Sequence, residues 1–147
     1  MYKKLLFPVD GSESSRRALP HVRELARAAQ ATIIVLQAVE IVTEGDAMSV
    51  PERRAEAEQS AREIATTLRT EGVEAVESRV VEGDAGRVIV EIAATEDINL
   101  IVMASHGRSA ILRVALGSVA DYVVRHSPCP ILLVRPPREP RPGATII

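Results

Sequence analysis

Five short apolar runs alternate with four helical patterns along this chain, and that alternation restricts the fold more than any other feature. The runs are Leu5–Val9, Thr32–Val39, Val73–Val81, Ile98–Met103 and Ile131–Val134. Each is strand-length, and Thr32–Val39 (TIIVLQAV) is rich in β-branched residues. The third run alternates apolar with polar residues, as a strand toward a sheet edge does. The fourth reads as apolar throughout, as a strand buried on both faces does. Strands separated by helix-length segments imply an α/β fold: an open five-stranded parallel sheet with right-handed crossovers and helices on both faces. Ligands of such sheets bind beyond the carboxyl ends of the strands, where the strand order reverses.

The helical segments carry their own start and stop signals. Ser12 is placed to cap a first helix whose inner face is Ala18, Leu19, Val22, Leu25, Ala26 and Ala29. Pro20 inside that pattern either bends the helix or marks its true start. Glu40–Ser49 has no clear period and reads as a loop. Ser49-Val50-Pro51-Glu52 resembles a capping box, and the helix after it turns Ala57, Ala61, Ile64, Ala65 and Leu68 inward before stopping near Gly72. Gly83-Asp84 opens a third helix with Val88, Ile89, Ile92 and Ala93 on one side. A short last helix runs from Ser118 to about His126. Residues 1–136 read as one domain, and 137–147 as a proline-rich tail.

Composition narrows the function classes. A net charge of −2 with interspersed Arg and acidic residues gives no basic face for nucleic acid. The absence of Trp and the few aromatics argue against base-stacking platforms. The single cysteine, Cys129, excludes an internal disulfide and reads as a small buried hydrophobe. No N-terminal signal pattern and no apolar stretch near the roughly 20 residues of a membrane helix are present, so a soluble cytoplasmic protein is expected. His21, His106 and His126 fall into no metal-ligand spacing.

Chemistry concentrates between Ile98 and Val134. A strand, a glycine-containing loop, a helix opening at Gly117-Ser118 and another strand make a candidate phosphate cradle, with backbone N–H groups and a helix dipole converging on one anion. Three segments, KKLLFPVDGSESSRRAL, GDAGRVIVEIAATEDINLIVMASHGRS and LGSVADYVVRHSPCPILLVR, resemble the universal stress protein family in order and spacing from Met1 to about Pro136. That resemblance implies a Rossmann-like sheet, and strand order 3-2-1-4-5 is expected. The family's ATP-binding branch carries Gly, two residues, Gly, nine residues, then Gly-Ser or Gly-Thr. Here Gly107 is followed by the nine residues Arg108 to Leu116 and then by Gly117 and Ser118, while Ala104 stands at the first glycine position.

The resemblance implies an ATP site made from Pro8, Val9 and Asp10 after the first strand, Ala38 after the second, and Met103, Ala104, Ser105, His106, Gly107 and Arg108 after the fourth, closed by Gly117, Ser118 and Val119. Gly107, Gly117 and Ser118 would offer backbone N–H groups to phosphates. Asp10 would accept hydrogen bonds from ribose or base, Ala38 would meet adenine through its backbone, and Met103 would form an apolar floor. Arg108 suits a phosphate through charge-assisted bonds. Read without the family, the same residues are a turn, a helix cap and ordinary core. Magnesium is expected with ATP, held mainly by the phosphate oxygens, and no catalytic residue is assigned. The expected function is a dimeric regulatory module with an unidentified protein partner, pairing through the Ile131–Val134 edge. A nucleotide-free dimeric module and a slow ATPase are the alternatives. Against an enzyme stand the lack of a Walker A motif and of an evident acid/base pair.

Overall fold

The computed structural model describes residues 1–41, 48–106 and 116–136. Its elements follow the sequence alternation: β1 (Lys4–Val9), α1 (Glu13–Arg16), α2 (Leu19–Ala29), β2 (Thr32–Val39), α3 (Val50–Thr70), β3 (Val76–Glu82), α4 (Ala85–Thr95), β4 (Leu100–Ala104), α5 (Ser118–His126) and β5 (Ile131–Val134). All strand pairs are parallel, and the order is β3-β2-β1-β4-β5, as expected. Central β1 pairs Leu6 with Ile101 of β4 and Val9 with Gln37 of β2.

Strand side chains alternate between two cores. On one face Leu5, Phe7, Ile33 and Val35 pack with Val22 and Ala26 of α2 and with Ala61, Ile64 and Leu68 of α3. On the other, Leu6, Ile34, Leu36, Ile101 and Met103 pack with Ile89 and Ile92 of α4 and with Ala120 and Val123 of α5. Interior strands therefore read as continuous apolar runs because both faces are covered.

Several local expectations are met, and several are corrected. The Ser49 capping box forms, with Glu52 N donating to Ser49 Oγ at 3.3 Å and Ser49 N donating to the Glu52 carboxylate at 3.1 Å. The first helix is two pieces. Ser12 caps only the single turn of α1, and α2 begins at Leu19 with Pro20 in its first turn, where a missing N–H costs nothing. The third strand starts at Val76 rather than Val73, because Val73 N donates to Leu68 O at the end of α3 and cannot join the sheet ladder. The fourth starts at Leu100, and the run is not apolar throughout. Asn99 Oδ1 instead accepts from the backbone N–H groups of Lys3 and Lys4, each at 2.8 Å, and ties the entry of β4 to that of β1.

The two edges differ. β3 carries Glu77, Arg79 and Glu82. The Arg79 guanidinium bonds the Glu77 carboxylate at 2.7 Å and also that of Glu96, a charged edge that discourages further pairing. The hydrogen bond from Arg79 holds the Glu96 carboxyl below the ordinary carboxylate range. β5 is apolar: Ile131 and Leu133 lean on the second core, Val134 is buried, and Leu132 is 37% exposed. Among the described residues no helix is long and apolar enough to cross a membrane. The tail expected at 137–147 lies outside the described residues.

Candidate functional site

Sheet order dictates where a site forms. β1 is followed in sequence by β2 on one side but is paired with β4 on the other, so the connections diverge at its carboxyl end. A cavity of about 680 Å³ opens there, within the range of small-ligand sites. It is lined from β1 by Pro8, Val9 and Asp10, from β2 by Ala38, from β4 and its continuation by Met103, Ala104, Ser105 and His106, and from the start of α5 by Gly117, Ser118 and Val119. The fold thus brings together residues predicted as one site from four separate stretches of sequence. Gly107 and Arg108 lie outside the described residues, as does the part of the Glu40–Ser49 loop at 42–47.

The β1 end of the cavity is a tightly bonded turn. Asp10 Oδ1 accepts from Ser12 N at 2.9 Å and from Ser12 Oγ at 2.5 Å. Asp10 N donates to Ser15 Oγ at 3.4 Å, and Ser15 Oγ donates to Ser12 O. Gly11 between them has φ 82°, a conformation that side chains disfavour. The turn role and the cavity-facing role of Asp10 are compatible: the turn fixes the carboxylate at the rim.

The α5 end supplies donors, though not all those expected. Gly117 N donates to Ser105 O at 2.8 Å, so this N–H is spent on joining the end of β4 to the start of α5. Gly117 is the cap residue, no side chain caps the helix, and Ser118 is its first helical residue rather than its cap. The first intrahelical bond runs from Asp121 N to Gly117 O. The N–H groups of Ser118, Val119 and Ala120 precede it and have no partner within the helix. With the positive end of the helix dipole they make this end of the cavity suited to an anion.

Ala104 occupies the position where a glycine was expected. It closes β4 and is not among the described residues with positive φ, so its methyl group meets no backbone penalty there. Met103 is 5% exposed and belongs to the second core while also lining the cavity. Ser105 is 1% exposed; its N–H donates to Val134 O, while its Oγ has no hydrogen-bond partner among the described residues.

Further lining residues, not expected from the sequence, come from β2 and α3. They include Gln37, Arg53, Glu56 and Ser60. The α3 residues look like an ordinary solvated helix face in sequence. Gln37 has a signal, a lone amide inside an otherwise apolar strand. Polarity therefore divides the cavity. Asp10, Glu40 and Glu56 with the cation Arg53 lie toward β1, β2 and α3, and backbone donors lie toward α5. Among the described residues no group of three His, Cys, Asp or Glu side chains could hold a metal ion. His126, at the far end of α5, stacks on Tyr122 with ring centroids 4.2 Å apart.

Comparison with known proteins accords with this geometry. The model of the universal stress protein family matches residues 1–135. Universal stress protein MJ0531 of Methanocaldococcus jannaschii is 30% identical over 145 residues, which cover 95% of this chain and 85% of that protein. The solved structure of hypothetical protein MJ0577 is similar with a TM-score of 0.81 at 31% identity, covering 95% of this chain and 99% of that one. A universal stress protein in complex with cAMP is similar with a TM-score of 0.73 at 28% identity, covering 91% of this chain and 97% of that one.

Proposed function

Because this chain belongs to the universal stress protein family, we propose that it is an ATP-binding member that works as a dimeric regulator of the stress response in the cytoplasm. The observation that carries the reading is the cavity at the end of β1, lined at one end by the start of α5, where the N–H groups of Ser118 and Val119 would take a phosphate, and at the other by Asp10 and Ala38, where sugar and base would lie. The cAMP complex of a relative supports an adenine nucleotide as the ligand.

Titration calorimetry tests this. Saturable binding of ATP at one site per chain is expected, weaker in excess chelator, because magnesium bridging the phosphates would be held mainly by the nucleotide itself. Absence of binding by ATP, ADP, AMP and cAMP overturns the reading. Equal ATP affinity in chelator removes magnesium from it. Rapid turnover in the same samples would favour an enzyme.

The dimer of this proposal forms by two-fold pairing of β5 with its copy, which satisfies unpaired backbone groups and covers Leu132 at once. Leu133 is the less discriminating place for a disruptive charge, since it packs on the second core. Leu132→Arg places the charge on the exposed face of the strand. It is expected to shift the protein from dimer to monomer in sedimentation with little change in thermal stability. A wild-type protein that sediments as a monomer at micromolar concentration eliminates this interface.

A further inference from the structure

Two helices open at the carboxyl end of the sheet on the same face. All strands are parallel, and α4 follows β3 as α5 follows β4, so both helices start beside the cavity and pack on the second core. Their first turns are close together. Gly86 of α4 lies against Tyr122 of α5, where an added Cβ would sit 2.7 Å from the ring atom Cδ1. The two N-termini differ in their caps. Asp84 caps α4, its carboxylate accepting from Arg87 N at 3.2 Å. No side chain caps α5. A carboxylate at the end of α4 occupies a donor there and repels an anion, whereas the end of α5 keeps the positive field of its dipole. Phosphates of a ligand therefore belong at α5, and an uncharged part of it at α4.

The wall offered at α4 is apolar. Leu36 and Ala38 of β2, Ile89 of α4 and Met103 of β4 pack in the second core and line the cavity, and Ala85 lines it from the first turn of α4. None of these five side chains is charged or carries a strong hydrogen-bonding group. The wall from α3, across the sheet edge, is polar, with Arg53, Glu56 and Ser60. A flat uncharged ring gains most by covering the apolar wall. We infer that the base of the nucleotide seats between β2 and α4 and not against α3, with Ala85 as the residue that sets the width of its slot. Ala85 and Ile89 are one helical turn apart on one side of α4. Ile89 is 3% exposed and fixed in the core, so the small side chain at position 85 is what leaves the slot open. This inference rests on the nucleotide-binding reading and adds α4 as the element that holds the base.

Photolabelling of the wild type with 2-azido-ATP and 8-azido-ATP, which carry the reactive group on opposite edges of the ring, tests the placement. Trypsin separates the two walls: the first turn of α4 falls in peptide 80–87, and the α3 lining from Glu56 to Ser60 in peptide 55–62. Label in 80–87 from at least one analogue, displaced by excess ATP, is expected. Label in 55–62 with none in 80–87 puts the base against α3 and overturns the inference. A second arm is Ala85→Leu, which adds bulk at a half-buried position and leaves the α5 donors untouched. It is expected to lower ATP affinity in calorimetry by about tenfold or more, the effect of a misfit in an apolar pocket, with an unliganded thermal midpoint close to that of wild type. ATP affinity equal to that of wild type in the folded variant overturns the inference as well. A wild type that binds no adenine nucleotide defeats the nucleotide reading itself, whereas ATP binding without label in 80–87 defeats only the placement at α4.

Discussion

Gly117→Val is expected to abolish measurable ATP binding while the fold survives. Gly117 has φ −69° and ψ 164°, an extended conformation open to any residue, so the substitution forces no backbone change. The loss of a tolerated cap residue costs about 1 kcal/mol, a fraction of the stability of a domain this size. The effect on the cavity is larger. Gly117 lines it beside the N–H groups of Ser118 and Val119, which have no partner within α5, and a branched side chain there would stand between them and a phosphate in the proposed site. Each hydrogen bond to a charged group that is lost is worth about 1.5–3 kcal/mol, so two such losses lower affinity by more than about a hundredfold. Calorimetry reads the affinity and circular dichroism the fold. ATP affinity equal to that of wild type removes the α5 terminus from the proposed site.

Gly86→Ala is expected to destabilise the protein, although alanine is the better helix former. Gly86 lies in the first turn of α4, against α5. An added Cβ would sit 2.7 Å from Tyr122 Cδ1, 3.0 Å from its Cγ and 3.2 Å from its Cβ. The last two atoms are at the root of the side chain, so rotating the ring does not clear the overlap, and the ring is also stacked on His126. Relief requires the two helices to separate. Overpacking of this kind costs about 1–3 kcal/mol, against a propensity gain of at most about 1 kcal/mol. A net loss of about 1–2 kcal/mol corresponds to a thermal midpoint lower by about 2–8 °C. Denaturant unfolding showing equal or greater stability would reject the close approach. In the proposed site α5 supplies the donors to phosphate, so ATP affinity should fall in the same variant.

Elements with local signals are legible in the amino-acid sequence. β2 and β5 match their apolar runs end to end, and α5 starts and stops where its pattern does. The capping box at Ser49 is a four-residue device that needs no distant partner. Boundaries differ where one atom answers to a remote group or to a neighbouring element. Asn99 looks like a flaw in a strand until its side chain is seen bonding Lys3 and Lys4. The first helical pattern is continuous in sequence, yet the chain breaks it into α1 and α2 at the place where Pro20 can sit in a first turn.

Local patterns set the alternation of strands and helices, the caps, and most of the stretches that line the cavity, because periodicity, turn chemistry and helix signals act within a few residues. How those stretches divide their work follows from contacts between distant parts of the chain. Gly117 lends its N–H to Ser105, and the N–H groups of Ser118 and Val119 are the ones with no partner within α5. The methyl of Ala104 costs nothing in backbone conformation, because strand pairing with β5 holds its backbone in the ordinary β region. Each of these depends on groups far apart in the chain, whose meeting is set by sheet order and packing and is not encoded in any local pattern.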